Sequence, residues 1–294
     1  MGLYADRKQL PLTRTQVRLR HQRTHATDCA ECETKAGMLD RIERIVALGG
    51  DLDVVFKYRA CHDRCRRFSS RLWLLQSPPR PQACYVLAHG AGAGMTHPFM
   101  AAVAAGLAQR GLATLRFQFP YMERGGKRPD PPKLAHATIR AAVAEAVRIL
   151  PGHPLIAGGK SFGGRMTSQA QTAAPLPGVR GLAFLGFPLH PAGHPSRDRG
   201  SHLFDVRIPM LFLQGTRDTL AMLDQLKPLC ESLGERATLK LFEDADHSFH
   251  VPARTGRKDS QVWSDMSDTI AAWTDAVVKR PGATAAGSSA GPRA

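Results

Sequence analysis

A serine stands between two glycines in Gly159-Lys160-Ser161-Phe162-Gly163, where an apolar run, Leu155-Ile156-Ala157, gives way to a helix-compatible stretch at 165–170. Strand, sharp turn with a serine at its tip, then helix is the local pattern that exposes a hydroxyl for nucleophilic attack. The turn forces its central residue into a strained backbone, and flanking glycines remove Cβ atoms that would clash with strand and helix. A second match to the pattern, Gly287-Ser288-Ser289-Ala290-Gly291, sits in a Gly/Ala/Ser/Pro tail with no strand before it and no helix after it. Context therefore selects Ser161.

A hydroxyl is a poor nucleophile until a base takes its proton, so a histidine held by a carboxylate is required. Two strand ends supply them in the order Ser, Asp, His. Met210-Leu211-Phe212-Leu213 runs through Gln214-Gly215-Thr216-Arg217 to Asp218, and Leu239-Lys240-Leu241-Phe242 runs through an acidic turn to His247. Taken alone, Asp218 reads as a helix cap and His247 as a solvated turn residue. Their joint occurrence past two strand ends, in this order, predicts a Ser161–His247–Asp218 triad. His250 is the rival base, and Asp244 and Asp246 are rival acids. Both acids share the turn with His247 and are badly placed to reach its other ring nitrogen. An oxyanion hole is expected from the N–H of Phe162 and, across the Gly-rich loop His89-Gly90-Ala91-Gly92-Ala93-Gly94, from the N–H of Ala91. That loop lacks the Lys-Ser/Thr of a nucleotide-binding loop.

The elements that must hold these groups follow from periodicity. Strands are expected at 71–75, 83–88, 113–117, 155–157, 182–187, 210–213 and 238–242. Helices are expected at 99–110, 135–150, about 220–233 and about 264–278. Apolar strands alternating with amphipathic helices predict an α/β fold with a mostly parallel, doubly wound sheet, whose ligands bind at the carboxyl ends of the strands. Two segments leaving such ends, 117–133 and 190–202, are read as long loops that shape the pocket. In the first, Arg124, Lys127 and Arg128 are candidates for binding an anionic acyl substrate, with a solvated loop as the alternative.

The chain has 294 residues, 43% of them hydrophobic, enough for one large domain or for one plus a small one. Its formal charge is +15, with 16 Lys/Arg against 9 Asp/Glu in residues 1–80, a surplus of 7. The charge is thus spread along the chain, and no basic tract carries interleaved aromatics, so no nucleic-acid partner is expected. No apolar run reaches 18 residues and the N-terminus lacks an apolar h-region, so neither a membrane span nor a signal peptide is expected. The six cysteines then read as reduced thiols of a cytoplasmic protein. No metal or cofactor is called for, and the expected partner is a small-molecule acyl substrate. The oligomeric state stays open.

Residues 70–278 resemble the α/β-hydrolases of the dienelactone-hydrolase-like group, and within it a predicted-hydrolase branch. The resemblance rests on four blocks: His89 to Gly94, Gly158 to Arg165, Gly186-Phe187-Pro188-Leu189-His190-Pro191, and Gly215-Thr216-Arg217-Asp218. It implies an α/β-hydrolase fold with little or no cap, no cofactor and an unassigned substrate. Related proteins include scaffold subunits, so a non-catalytic α/β-hydrolase-fold interaction protein is the alternative. Residues 1–69 hold four of the cysteines and too little apolar material for a core of their own. There the stretch from His25 to Arg44 resembles the C-terminal third of the OsmC/Ohr thiol peroxidases, and Cys65 falls at that family's second redox cysteine. The half bearing the first cysteine is missing, and Arg66 and Arg67 replace the usual context. The resemblance implies a small OsmC-like remnant, with thiol peroxidase activity as a second alternative. A zinc site from Cys29, Cys32, Cys61 and Cys65 competes with it. Residues 281–294 are expected to be disordered.

Overall fold

The computed structural model describes residues 73–280. The OsmC-like segment, its cysteines and the C-terminal tail lie outside the described residues. Within them, seven strands form one sheet: β1 (Trp73–Gln76), β2 (Ala83–Ala88), β3 (Leu112–Phe117), β4 (Leu155–Lys160), β5 (Val179–Leu185), β6 (Met210–Gly215) and β7 (Ala237–Phe242). Their spatial order is β1-β3-β2-β4-β5-β6-β7. Only β1 runs antiparallel, against β3; every other pairing is parallel.

The inner strands are buried on both faces because helices cover both faces, whereas the edge strand β7 exposes Thr238 and Lys240. Along β2, Cys84, Val86 and Ala88 point into one core, whereas Ala83, Tyr85 and Leu87 point into the other. The first core is closed by α3 (Pro132–Ile149), α4 (Phe162–Ala173) and α5 (Leu223–Leu233). The second is closed by α1 (Pro98–Gln109) and α6 (Asp259–Lys279) through Phe99, Val103 and Leu107 on one helix and Val262, Met266 and Ile270 on the other. A single-turn helix, α2 (Pro120–Glu123), lies between β3 and α3.

Several boundaries depart from the sequence reading. Helix α6 begins five residues before the expected position, because its first turn is polar and shows no apolar stripe. Its start is fixed instead by Gln261 Oε1, which accepts from Lys258 N at 2.8 Å. The 190–202 segment is not simply a loop: residues Asp198–Asp205 form a 3-10 helix against α4, with Gly200 and Leu203 buried. Likewise α2 sits inside the other expected loop, where Phe119 and Tyr121 are buried. Strand β5 ends at Leu185 rather than residue 187, because Gly186 turns the chain at φ 69°.

The strand order reverses direction between β2 and β4, which makes their carboxyl ends the topological switch point. The Gly-rich loop follows β2 and Ser161 follows β4, so both candidate elements meet there.

Candidate active site

Ser161 sits at φ 48°, ψ −114°, a backbone state that a non-glycine residue holds only when its surroundings over-determine it. The surroundings are tight. A Cβ on Gly159 would lie 2.2 Å from Ala88 O, and one on Gly163 would lie 2.5 Å from His89 O. The turn is thus pressed flush against the end of β2. Ser161 N donates to Leu185 O at 3.1 Å, tying the turn to β5 as well.

His247 lies between the other two predicted groups. Its Nε2 is 2.8 Å from Ser161 Oγ, and its Nδ1 is 2.6 Å from Asp218 Oδ2. The Asp218 side chain is fully buried, while the imidazole keeps 24% exposure. Two further donors hold the carboxylate. Leu220 N reaches Oδ1 at 2.8 Å, and the amide of Gln214 donates to Oδ2. Gln214 is itself fully buried, and its Oε1 accepts from Phe187 N at 2.9 Å. His190 ties the Asp218 loop down from the side, with its N donating to Leu220 O and its Nε2 accepting from Met222 N.

The loop that presents His247 is held at several points. Asp246 Oδ1 accepts from Ser248 N at 2.7 Å and from His250 N at 3.0 Å. Phe249 adopts φ 61°, costly for a bulky residue, and is buried in a stack on Phe99 and edge-on to Phe242. Beneath the loop, Lys160 Nζ donates to His247 O at 2.5 Å and lies 5.5 Å from the Phe249 ring centroid. The ammonium is enclosed, although the residue as a whole keeps some exposure. Desolvation pushes its pKa down to about 8, against the opposing pull of Asp218 and Asp246.

The rival groups are engaged elsewhere. His250 faces Asp259 at 2.9 Å, Asp244 pairs with Arg254 at 2.9 Å, and Asp246 braces its own turn. Gly90 packs closely on the turn, since a Cβ there would come within 3.7 Å of Ser161 Cβ. The loop owes its shape to His89. Phe119 N donates to His89 Nε2 at 3.0 Å, which leaves Nδ1 to carry the proton toward Gly90 O at 2.8 Å. Burial holds His89 down to about 4, so the ring stays neutral. From below, Arg116 Nη1 donates to Met95 O and Gln118 Oε1 accepts from Met95 N. No hydrogen bond among the described residues uses the N–H of Phe162 or Ala91, so both are free to donate.

The cluster at 124–128 is built differently from the triad. Arg124 is paired at 3.0 Å with the buried carboxylate of Asp130, which also accepts from Tyr121 N. Lys127 and Arg128 are exposed, and the structure joins neither to the triad. Among the described residues no group of His, Cys, Asp and Glu is arranged to hold a metal ion, and no helix is long and apolar enough to cross a membrane. Cys84 and Cys230 are buried free thiols pushed up to about 12, so neither forms a reactive thiolate. A hollow lined by Lys227, Cys230, Glu231, Gly234, Ala237 and Leu239 lies where β7 begins, at the amino end of that strand and away from the carboxyl ends that carry Ser161.

Sequence reasoning missed Gln214, Lys160, His89 and His190 as parts of this site. His89, Lys160 and His190 all lie in the blocks that carried the resemblance, but nothing in their spacing disclosed what they bond.

Comparison with known proteins agrees with this architecture. The model of the alpha/beta hydrolase domain family matches residues 81–275. A dienelactone hydrolase from Anabaena variabilis superimposes with a TM-score of 0.58 at 21% identity, over 71% of this chain and 92% of its own. An α/β serine hydrolase homologue from Coxiella burnetii gives 0.56 at 17%, over 69% and 90%. An α/β serine hydrolase without lid from Xanthomonas campestris gives 0.55 at 21%, over 69% and 89%. At such identities these likenesses speak for the fold alone. The family match spans well over half of the chain, and the chain belongs to the alpha/beta hydrolase family.

Proposed function

We propose that the chain is a serine hydrolase acting on carboxylic esters or related acyl compounds. The observation that carries this reading is one imidazole bonded on both sides, with Ser161 Oγ at 2.8 Å from Nε2 and Asp218 Oδ2 at 2.6 Å from Nδ1. Ser161 Oγ bonds to the acyl carbon as its proton passes to His247 Nε2. Asp218 accepts from Nδ1–H, which fixes the tautomer and offsets the imidazolium charge. The carbonyl oxygen becomes an oxyanion that the free N–H groups of Phe162 and Ala91 stabilise. Collapse breaks the bond to the leaving group, which takes the proton from His247. Water then attacks the acyl-serine and gives a proton to His247. The second collapse releases the acid, and the proton returns to Ser161.

Hydrolysis of 4-nitrophenyl hexanoate by wild type, Ser161→Ala, His247→Ala and the double variant tests this. Each single change should cost at least about 10⁴ in kcat, and the double no more than a single, because the residues act as a unit. Hydrolysis that survives Ser161→Ala would overturn the reading and leave the fold as a scaffold.

A further inference from the structure

Arg165 lies one helical turn beyond the nucleophile, and its N donates to Ser161 O at 3.1 Å. Helical Cα–Cβ bonds tilt toward the N-terminus, which starts the Arg165 side chain back in the direction of the turn that carries Ser161. It is half-buried, and its Nε reaches neither solvent nor an acceptor. Arg110, Arg124, Arg148, Arg254 and Arg257 each face a carboxylate. Arg165 has none among the described residues. The charge acting on it is a second cation, Arg199, from the 3-10 helix that packs on α4. Burial and then that like charge hold the guanidinium below its usual range. The Arg199 side chain likewise makes no ion pair or hydrogen bond among the described residues.

Two histidines extend the same wall. His136 on α3 has a buried Nε2 without a partner. His202, held by Ser168 Oγ at 2.7 Å, is pushed down to about 4 by burial and by the charges of Arg165 and His136, with Asp205 pulling the other way. The face of α4 that carries Arg165 therefore holds guanidinium groups without a carboxylate, backed by imidazoles whose charged forms burial disfavours. Half-buried guanidinium donors left unspent are costly unless an anion engages them, and a planar guanidinium suits an oxyanion with two parallel bonds.

We propose that Arg165, together with Arg199, binds an oxyanion carried by the substrate, a carboxylate or a phosphate, so that the preferred esters are anionic ones. This rests on the serine-hydrolase reading. It assigns anion recognition to Arg165 rather than to Arg124, whose guanidinium already has Asp130.

The test compares 4-nitrophenyl hexanoate with 4-nitrophenyl hydrogen adipate, which differ in a terminal methyl against a terminal carboxylate. Wild type should favour the adipate ester. Arg165→Ala should lower the adipate-to-hexanoate ratio of kcat/KM about 10- to 100-fold, the range of a lost charge-assisted bond. Arg165→Lys should recover part of it, and Arg199→Ala should lower the ratio less. Adipate and inorganic phosphate, each added as a competitor against the hexanoate ester, show which oxyanion the site takes. A ratio equal in wild type and Arg165→Ala would overturn the proposal. So would a ratio that collapses only in Arg124→Gln/Lys127→Gln/Arg128→Gln. A binding readout separates this from failure of the hydrolase reading. Adipate or phosphate should raise the Tm of wild type more than that of Arg165→Ala, whether or not either ester is turned over. Equal Tm shifts with both anions would also sink the assignment.

Discussion

Lys160→Met separates two things that one side chain does. The ammonium is pushed down from 10.5 to about 8 mainly by desolvation, so keeping it charged at pH 7 costs about 3 kcal/mol gross. Methionine has a similar length and no charge, so it escapes that cost. It also leaves His247 O without its donor, which costs about 1–3 kcal/mol. The two terms nearly cancel, and urea denaturation at pH 7 should show a net change within about 2 kcal/mol. Activity should not cancel. The bond to His247 O is what the loop gains from Lys160, and a shift of the imidazole by about 1 Å costs about 10²-fold. The expected result is a fall in kcat on 4-nitrophenyl hexanoate of about 10- to 100-fold, with near-wild-type stability. The pH dependence gives a second check. Between pH 8 and 10.5 the unfolded chain holds the Lys160 proton while the folded one has released it, so this group makes wild-type stability rise with pH across that window. Lys160→Met should lose that rise. Unchanged kcat together with an unchanged pH slope would refute the reasoning.

Gln214→Leu keeps the volume but leaves Phe187 N unpaired and takes one donor from Asp218. It should cost about 2–5 kcal/mol of stability and lower kcat with little change in KM, as denaturation and steady-state rates would show. Gly163→Ala places a Cβ 2.5 Å from His89 O, where backbone must move, so the variant should express poorly or lose activity with near-native circular dichroism. His89 should contribute an acid-labile window. Its folded pKa of about 4 lies below the unfolded 6.5, so its share of stability is complete above pH 6.5. That share should be lost as the unfolded ring protonates down to pH 4, by about 3 kcal/mol in total. His89→Asn should flatten that part of the Tm profile.

The strand ends were legible because parallel strands buried on both faces write continuous apolar runs, and a residue just past such a run must lie on the rim. Asp218 follows Met210–Gly215 in that way, whereas His247 follows the edge strand Ala237–Phe242, whose apolar residues alternate with the exposed Thr238 and Lys240. Ser161 was legible because only small neighbours fit its turn. Gln214 was not, because an amide closing an apolar strand looks like any strand residue until its two partners, 27 and 4 residues away, are seen. Lys160 was opaque for a related reason: its acceptor is a backbone carbonyl 87 residues on, and carbonyls carry no sequence signal. The 3-10 helix Asp198–Asp205 escaped notice because it buries only Gly200 and Leu203, too few positions to show a period.

The most direct measurement is intact-mass and peptide mapping of the protein after reaction with a fluorophosphonate. A single adduct on Ser161, absent from Ser161→Ala and strongly slowed in His247→Ala, is the predicted result. An unmodified Ser161 in folded protein, or labelling that proceeds equally without His247, would contradict the account.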